Sequence, residues 1–239
     1  MSTELTIIIP TKNEQKNIFR VLRSIFFQTY TRDNHPKIFV ADAGSTDLTT
    51  SAARAAADMY GLNVEIIQGG LPAVGRNAGA KRAESRYLLF LDADVEIPDQ
   101  YLIERAIQLM RAKGLHCATT NIACPYGAFR SKLAYAVNNF YQRGSRFFGT
   151  PFSTGMCMFF SREVFNQLGG FNEKALFAED YMLSKRVKWN RFRVVPGYVT
   201  TSDRRFQKMG YWKLAKLFLG TALFSHRESQ FTKDHGYWR

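Results

Sequence analysis

The sequence predicts an α/β fold built on one mostly parallel sheet. Three observations carry that reading. Short β-branched or wholly apolar runs alternate with helical patterns through the first half of the chain. The run Tyr87–Leu91 ends directly on Asp92 and Asp94, and further acids follow two of the earlier runs. Repeated strand–helix units imply right-handed crossovers and parallel pairing, and open sheets of this kind take their ligands beyond the carboxyl ends of the strands.

Leu5–Ile9 reads as a buried strand stopped by Pro10, with Thr11–Glu14 turning into a helix that carries Ile18, Val21, Leu22, Ile25 and Phe26 on one face. The polar Thr31–Lys37 loop leads to a second strand, Ile38–Ala41. Asp42 follows it, and Gly44–Asp47 turns into the helix Leu48–Tyr60, with Ser45 or Thr46 as N-cap. Val64–Ile67 is the third strand, closed by Gly69 and Gly70, and a helix from Ala73 to Glu84 leads to the fourth, Tyr87–Leu91. A helix is expected from near Pro98. The second half is less regular: a strand at His116–Cys124, an aromatic helix at Phe129–Phe148, a turn-rich loop at Thr150–Gly155, a strand at Met156–Phe160 and a helix at Tyr181–Trp189. The stripe Leu133, Val137, Phe140 and Tyr141 on the aromatic helix is expected to face the core.

Composition limits what such a fold can do. With 239 residues and 46% hydrophobic content the chain can bury a full core. A formal charge of +13 calls for an anionic partner: nucleic acid, a phosphorylated substrate or an acidic membrane surface. Cys117, Cys124 and Cys157 are odd in number and widely spaced, which indicates neither a disulfide framework nor a zinc site and suggests a reducing, cytoplasmic setting. No leader sequence and no run long enough to cross a bilayer is recognisable.

The chemistry concentrates at the strand ends. Two buried aspartates need a partner or a cation, so Asp92 and Asp94 predict a polar crevice loaded with metal. The competing readings are that Asp92 caps the helix near Pro98 or that the pair is a solvated turn. Thr11 and Glu14 follow the first strand and Asp42 and Asp47 the second, so these loops should meet over one crevice, where carboxylates accept hydrogen bonds from ribose or a base. Neither a GxGxxG nor a GxxxxGK[ST] pattern occurs, which argues against a dinucleotide fold and a P-loop ATPase. Two other classes stay open: a nucleotidyltransferase, which would share the sheet and carboxylates, and a nucleic-acid-binding protein, which would account for the charge but not for acids at three strand ends.

In order along the chain, TIIIPTKNE (residues 6–14), VADAGSTD (40–47), GRNAGAKRA (75–83), FLDAD (90–94) and GGFNEKALFAED (169–180) together resemble the signature of family-2 glycosyltransferases of the GT-A fold. The resemblance implies one continuous domain, with residues 1–125 holding a nucleotide-diphosphate sugar, UDP- or GDP-linked, and residues 126–239 an acceptor hydroxyl. It implies inversion at the anomeric carbon. It assigns Pro10, Thr11, Glu14 and Asp42 to the nucleoside, Arg76 to the donor, Asp92 and Asp94 to a divalent metal, Mn2+ or Mg2+, and Asp180 to the general base. The chemistry is consistent: a cation bridging two phosphates neutralises the leaving charge, and an attacking hydroxyl needs a carboxylate across the donor. Glu179 and Asp180 would equally suit the N-terminus of a helix.

Ten lysines and arginines between Tyr181 and Lys216 face Asp203 alone. Within them Ser202–Phe206 resembles a Ser-x-Arg-Arg-Phe element of family members acting on lipid-linked or isoprenoid acceptors, which adds Arg204 and Arg205 to the donor and acceptor contacts. Tyr211–Phe224 is aromatic, basic and amphipathic. It reads either as a terminal helix docked on the core or as a helix in a membrane interface, which would place the enzyme on the inner face of the cell membrane. His226 is a further candidate metal ligand or a lone surface histidine, and Gln230–Arg239 a donor-site lid or a loose end.

Overall fold

A computed structural model of the chain describes residues 4–213. Its centre is a seven-stranded sheet in the order β3-β2-β1-β4-β6-β5-β7. The strands are β1 (Leu5–Thr11), β2 (Lys37–Asp42), β3 (Val64–Gln68), β4 (Tyr87–Leu91), β5 (Cys117–Ala123), β6 (Cys157–Ser161) and β7 (Phe192–Thr200). All pairs are parallel except those of β6, which runs antiparallel to both β4 and β5. The strand order reverses between β1 and β4, which opens a crevice at the carboxyl ends of β1, β2 and β4.

Alternate side chains explain the layering. Ile7, Ile9, Leu89 and Leu91 join the cluster formed with α1 (Gln15–Phe26), α3 (Thr49–Tyr60) and α5 (Leu102–Lys113). Ile8, Leu88 and Phe90 point the other way, against α4 (Pro72–Arg82), α7 (Arg162–Gln167) and α8 (Glu179–Ser184). A sheet covered on both faces needs such unbroken apolar runs. Helix α4 lies so close to β1 that a Cβ on Gly79 would stand 2.6 Å from Ile8 Cγ2.

Several expectations change at the element ends. β1 runs through Pro10 to Thr11, because its pairing with β4 ends at Ile8 and the missing N–H falls beyond it. α3 starts at Thr49 instead of Leu48, and Asp47, not Ser45 or Thr46, accepts the Thr49 N–H at 3.0 Å. α5 begins at Leu102, ten residues beyond Asp92, so Asp92 is not its cap. The helix expected over Tyr181–Trp189 is the six-residue α8, Glu179–Ser184, followed by turns.

The largest correction concerns α6 (Phe129–Gly144) and the 3-10 turn Ser145–Phe148. Leu133, Val137, Phe140 and Tyr141, expected in the core, are exposed, while Ser131, Tyr135 and Gln142 are buried. The reason lies in β5, which pairs with β6 only over Cys117–Thr119. Beyond that point α6 supplies the missing neighbour: Asn139 donates to Ile122 O at 2.8 Å and accepts the Ile122 N–H at 2.9 Å, and Gln142 donates to Thr120 O at 2.8 Å. Backbone groups at an open strand edge must be satisfied, so the polar face of α6 is the one turned inward.

Candidate functional site

The crevice is assembled from loops that hold one another. Thr11 and Asp42 are register partners at the ends of β1 and β2. Asp42 accepts the N–H of Ser45 at 3.0 Å and its hydroxyl at 2.5 Å. Asn13, at a positive φ of 54°, accepts the Thr46 N–H at 2.8 Å, and Glu14 donates its N–H to Thr49 Oγ1 at 2.9 Å. Thr11 Oγ1, at the end of β1, is buried with no hydrogen-bond partner. Gly69 packs tightly against the end of β2: a Cβ there would meet Ala41 O at 2.5 Å.

Arg76, on α4, occupies the middle of the site and is only 1% exposed. Its Nη2 donates to Asp92 Oδ1 and its Nη1 to Glu179 Oε1, both at 2.6 Å, while its guanidinium lies 5.3 Å from the Phe171 ring centroid. Burial opposes the charge, but Asp92, Glu179 and Asp180 together outweigh it and raise the Arg76 pKa. A contact with the donor is expected for Arg76; in this structure both of its terminal nitrogens donate to protein carboxylates, and its buried Nε has no hydrogen-bond partner. Gly155 makes the arrangement possible, since a Cβ there would lie 2.6 Å from Arg76 Nη2. Gly155 O accepts from the same Nη2 at 3.4 Å, and its N–H donates to Asp180 Oδ2 at 2.5 Å.

Asp180 is thus tied to Asp92 through Arg76 and Gly155. It is placed by the left-handed turn of Ala178 (φ 55°) that opens α8, and it accepts the Tyr181 N–H at 2.7 Å. Burial, then repulsion from Glu179, push its carboxyl up to about 6, against the pull of Arg76 and the two N–H donors. A carboxylate tuned toward neutrality in a crevice suits general-base chemistry.

Asp94 follows Asp92 by two residues, just beyond β4. Burial, then the Asp92 charge, push its carboxyl above the ordinary range, and Arg205 and Arg204 draw it back down. Arg204, at the start of α9 (Arg204–Met209), donates to Glu14 Oε1 at 2.5 Å and to Asp94 Oδ2 at 3.3 Å. Asp203 fixes that segment by accepting the Ala128 N–H at 3.0 Å and the Ser131 hydroxyl at 3.3 Å. Among the described residues no three metal-ligating side chains cluster. Asp94 is a hard oxygen ligand of the kind Mg2+ and Mn2+ take, so the residues present fit such a cation only with further oxygen donors from outside the protein. His226 and most of the Tyr211–Phe224 segment lie outside the described residues, as does Gln230–Arg239.

The structure therefore gathers Thr11 with Asp42, Glu14 with Asp94 and Arg204, and Asp92 with Arg76 and Asp180. Sequence reasoning missed Glu179, Gly155 and Asp203. Only Glu179 had a local signal, as the neighbour of Asp180; the other two act through contacts 25 and 75 residues distant.

Comparison with known proteins agrees with this architecture. The glycosyltransferase AglE of Haloferax volcanii is 32% identical over 127 residues, 51% of this chain and 40% of its own length. A mannosyltransferase from Pyrobaculum calidifontis, solved with GDP-Man and Mn2+, superposes with a TM-score of 0.68 at 22% identity over 98% of this chain and 66% of its own. The TarS fragment of S. aureus solved with UDP gives 0.60 at 20% identity, over 87% and 63%. The chain thus spans less than two thirds of each of these proteins. The sequence model described as glycosyl transferase family 2 matches residues 6–169, well over half of the chain. This chain belongs to glycosyl transferase family 2 and has its GT-A fold.

Proposed function

We propose that the chain moves a sugar from a UDP- or GDP-linked donor to an acceptor hydroxyl with inversion at the anomeric carbon. The observation that carries this reading is that one buried arginine joins the carboxylates: Arg76 donates to Asp92 and Glu179, and the Gly155 carbonyl that accepts from the same Nη2 belongs to the residue whose N–H meets Asp180. The nucleoside lies against Pro10, Thr11 and Asp42, at the adjoining carboxyl ends of β1 and β2. Residues 1–125 serve the donor and residues 126–239 the acceptor.

In the reaction, Asp180 takes the proton of the attacking hydroxyl, and its raised pKa matches that task. Asp94 would hold a divalent cation, Mn2+ or Mg2+, which when bound would neutralise the leaving charge. Arg204 and Arg205 stand beside the same carboxylate and add fixed positive charge where the diphosphate departs. Arg76 is a positioning residue: it keeps Asp92 in register with Glu179, and hence the two walls of the cleft at a fixed spacing. The positive charge of the C-terminal third supports an acceptor borne by an anionic membrane, lipid-linked in kind, with the enzyme peripheral to it. No helix among the described residues is long and apolar enough to cross a bilayer. A nucleic-acid partner is not favoured, since the cleft edge presents Glu14, Asp42, Asp92 and Asp94 to it.

A screen of UDP- and GDP-linked sugars, with Mn2+ or Mg2+ and read as release of nucleoside diphosphate, tests the proposal. Release from one donor, abolished by chelation, is expected. Absence of release from every donor, together with no binding of UDP or GDP, would contradict it.

A further inference from the structure

Helix α6 is amphipathic in the opposite sense from an ordinary surface helix. Its inner face is polar because it completes the edge of β5, as described above. Its outer face carries Phe129, Leu133, Val137 and Phe140 at spacings of four, four and three, and the following 3-10 turn adds Phe147 and Phe148. All six are more than half exposed, and Phe140 and Phe148 reach 81%. A row of large apolar side chains standing in water marks an interaction surface.

The charges beside this row say what it meets. Arg130, Lys132 and Arg143 on α6 are exposed, and Arg146 stacks 4.5 Å from the centroid of the Phe147 ring. No aspartate or glutamate occurs between Glu104 and Glu163, so no acid on this segment answers them. Aromatic and aliphatic side chains rimmed by cations fit the boundary between acyl chains and anionic headgroups.

Position ties the surface to the reaction. Thr154 donates its N–H to Gln142 of α6 at 3.4 Å, Phe152 donates its own to Ser145 Oγ at 2.9 Å, and the next residue after Thr154 is Gly155, the partner of Asp180. At its other end α6 is bound through Ser131 to Asp203, next to Arg204. One helix therefore has its inner face bonded to both walls of the cleft and its outer face open.

We infer that the outer face of α6 and its 3-10 extension docks on an anionic lipid surface and so brings a membrane-borne acceptor to the Asp180 side of the cleft. The purpose, though not the binding, rests on the transfer reaction proposed above. The surface is formed by residues 129–148, a different stretch of sequence from Tyr211–Phe224.

The test is co-sedimentation of the full chain with vesicles of phosphatidylcholine alone or mixed equally with phosphatidylglycerol, at low salt and without donor. Wild type should bind the mixed vesicles and not the neutral ones. Phe140→Ser with Phe148→Ser should lower the bound fraction about ten-fold, whereas Met59→Ser, an exposed apolar residue on α3, should leave it unchanged. Equal binding by the Phe140/Phe148 variant and wild type would overturn the inference. So would absence of vesicle binding by wild type, or a wild-type dimer that the double variant turns into a monomer, since a second copy would then own the face. Release of nucleoside diphosphate in vesicle-free buffer, measured on the same samples, reads the transferase proposal independently.

Discussion

Asp180 carries two opposed consequences of one environment. Because burial and Glu179 push its carboxyl up to about 6, the proposed general-base role predicts that kcat/KM rises through pH 6 and levels off beyond it. A pH–rate profile that is flat between 5 and 7 would contradict this assignment. For stability the sign reverses. The folded state binds this proton more tightly than the unfolded chain, so the contribution is present below the ordinary aspartate pKa and is lost as pH rises through about 6. Asp180→Asn should therefore melt no lower than wild type at pH 7 even as transfer stops. Arg76→Met is expected to behave differently: it leaves Asp92 and Glu179 buried without their partner, at a cost of about 3–5 kcal/mol in a denaturant titration. At this scale the positions of Asp92 and Asp94 just after a strand and of Asp180 at the start of a helix were legible from local pattern. The sequence was not legible for Arg76, whose partner Glu179 lies 103 residues away and whose burial decides its role.

The elements show where pattern reading holds and where it fails. Strands β1, β2 and β4 were readable because a strand covered on both faces is apolar nearly throughout, and the same signal marked the run that became β6. Helix α6 was misread because periodicity reports that a helix has an apolar face without saying which way it turns; the open edge of β5 took the polar one. Contact between elements is similarly silent in sequence. Gly79→Ala places a methyl 2.6 Å from Ile8 Cγ2 and should cost about 1–3 kcal/mol by displacing α4 from the sheet. A variant as stable as wild type would mean that α4 packs less closely than described. Arg204→Ala should alter stability by less than about 1 kcal/mol, since its pairs are half exposed. It should weaken donor binding clearly in calorimetry if Arg204 meets the diphosphate.

For the molecule as a whole, the sheet joins two kinds of surface: an acidic crevice at the carboxyl ends of β1, β2 and β4, and a basic, partly aromatic flank on α6 and beyond. The fold class followed from alternation and from the sheet-edge acids. The antiparallel insertion of β6 between β4 and β5 did not, because pairing between distant strands leaves no trace in local periodicity. Since the crevice was built to hold a nucleotide in the proposed reading, UDP or GDP with Mn2+ at a hundred times its Kd should stabilise the protein by about 2.7 kcal/mol. Duplex DNA should give no such shift.

The central claim is that Asp94 and Asp180 serve opposite ends of one reaction in one cleft, and paired variants test it most directly. With the donor identified, nucleotide-sugar binding and single-turnover transfer are measured for Asp180→Asn and Asp94→Ala side by side. The account predicts that Asp180→Asn binds donor like wild type and does not transfer, while Asp94→Ala loses metal-dependent binding and transfer together. Undiminished transfer by Asp180→Asn, or unchanged metal-dependent donor binding by Asp94→Ala, would contradict it.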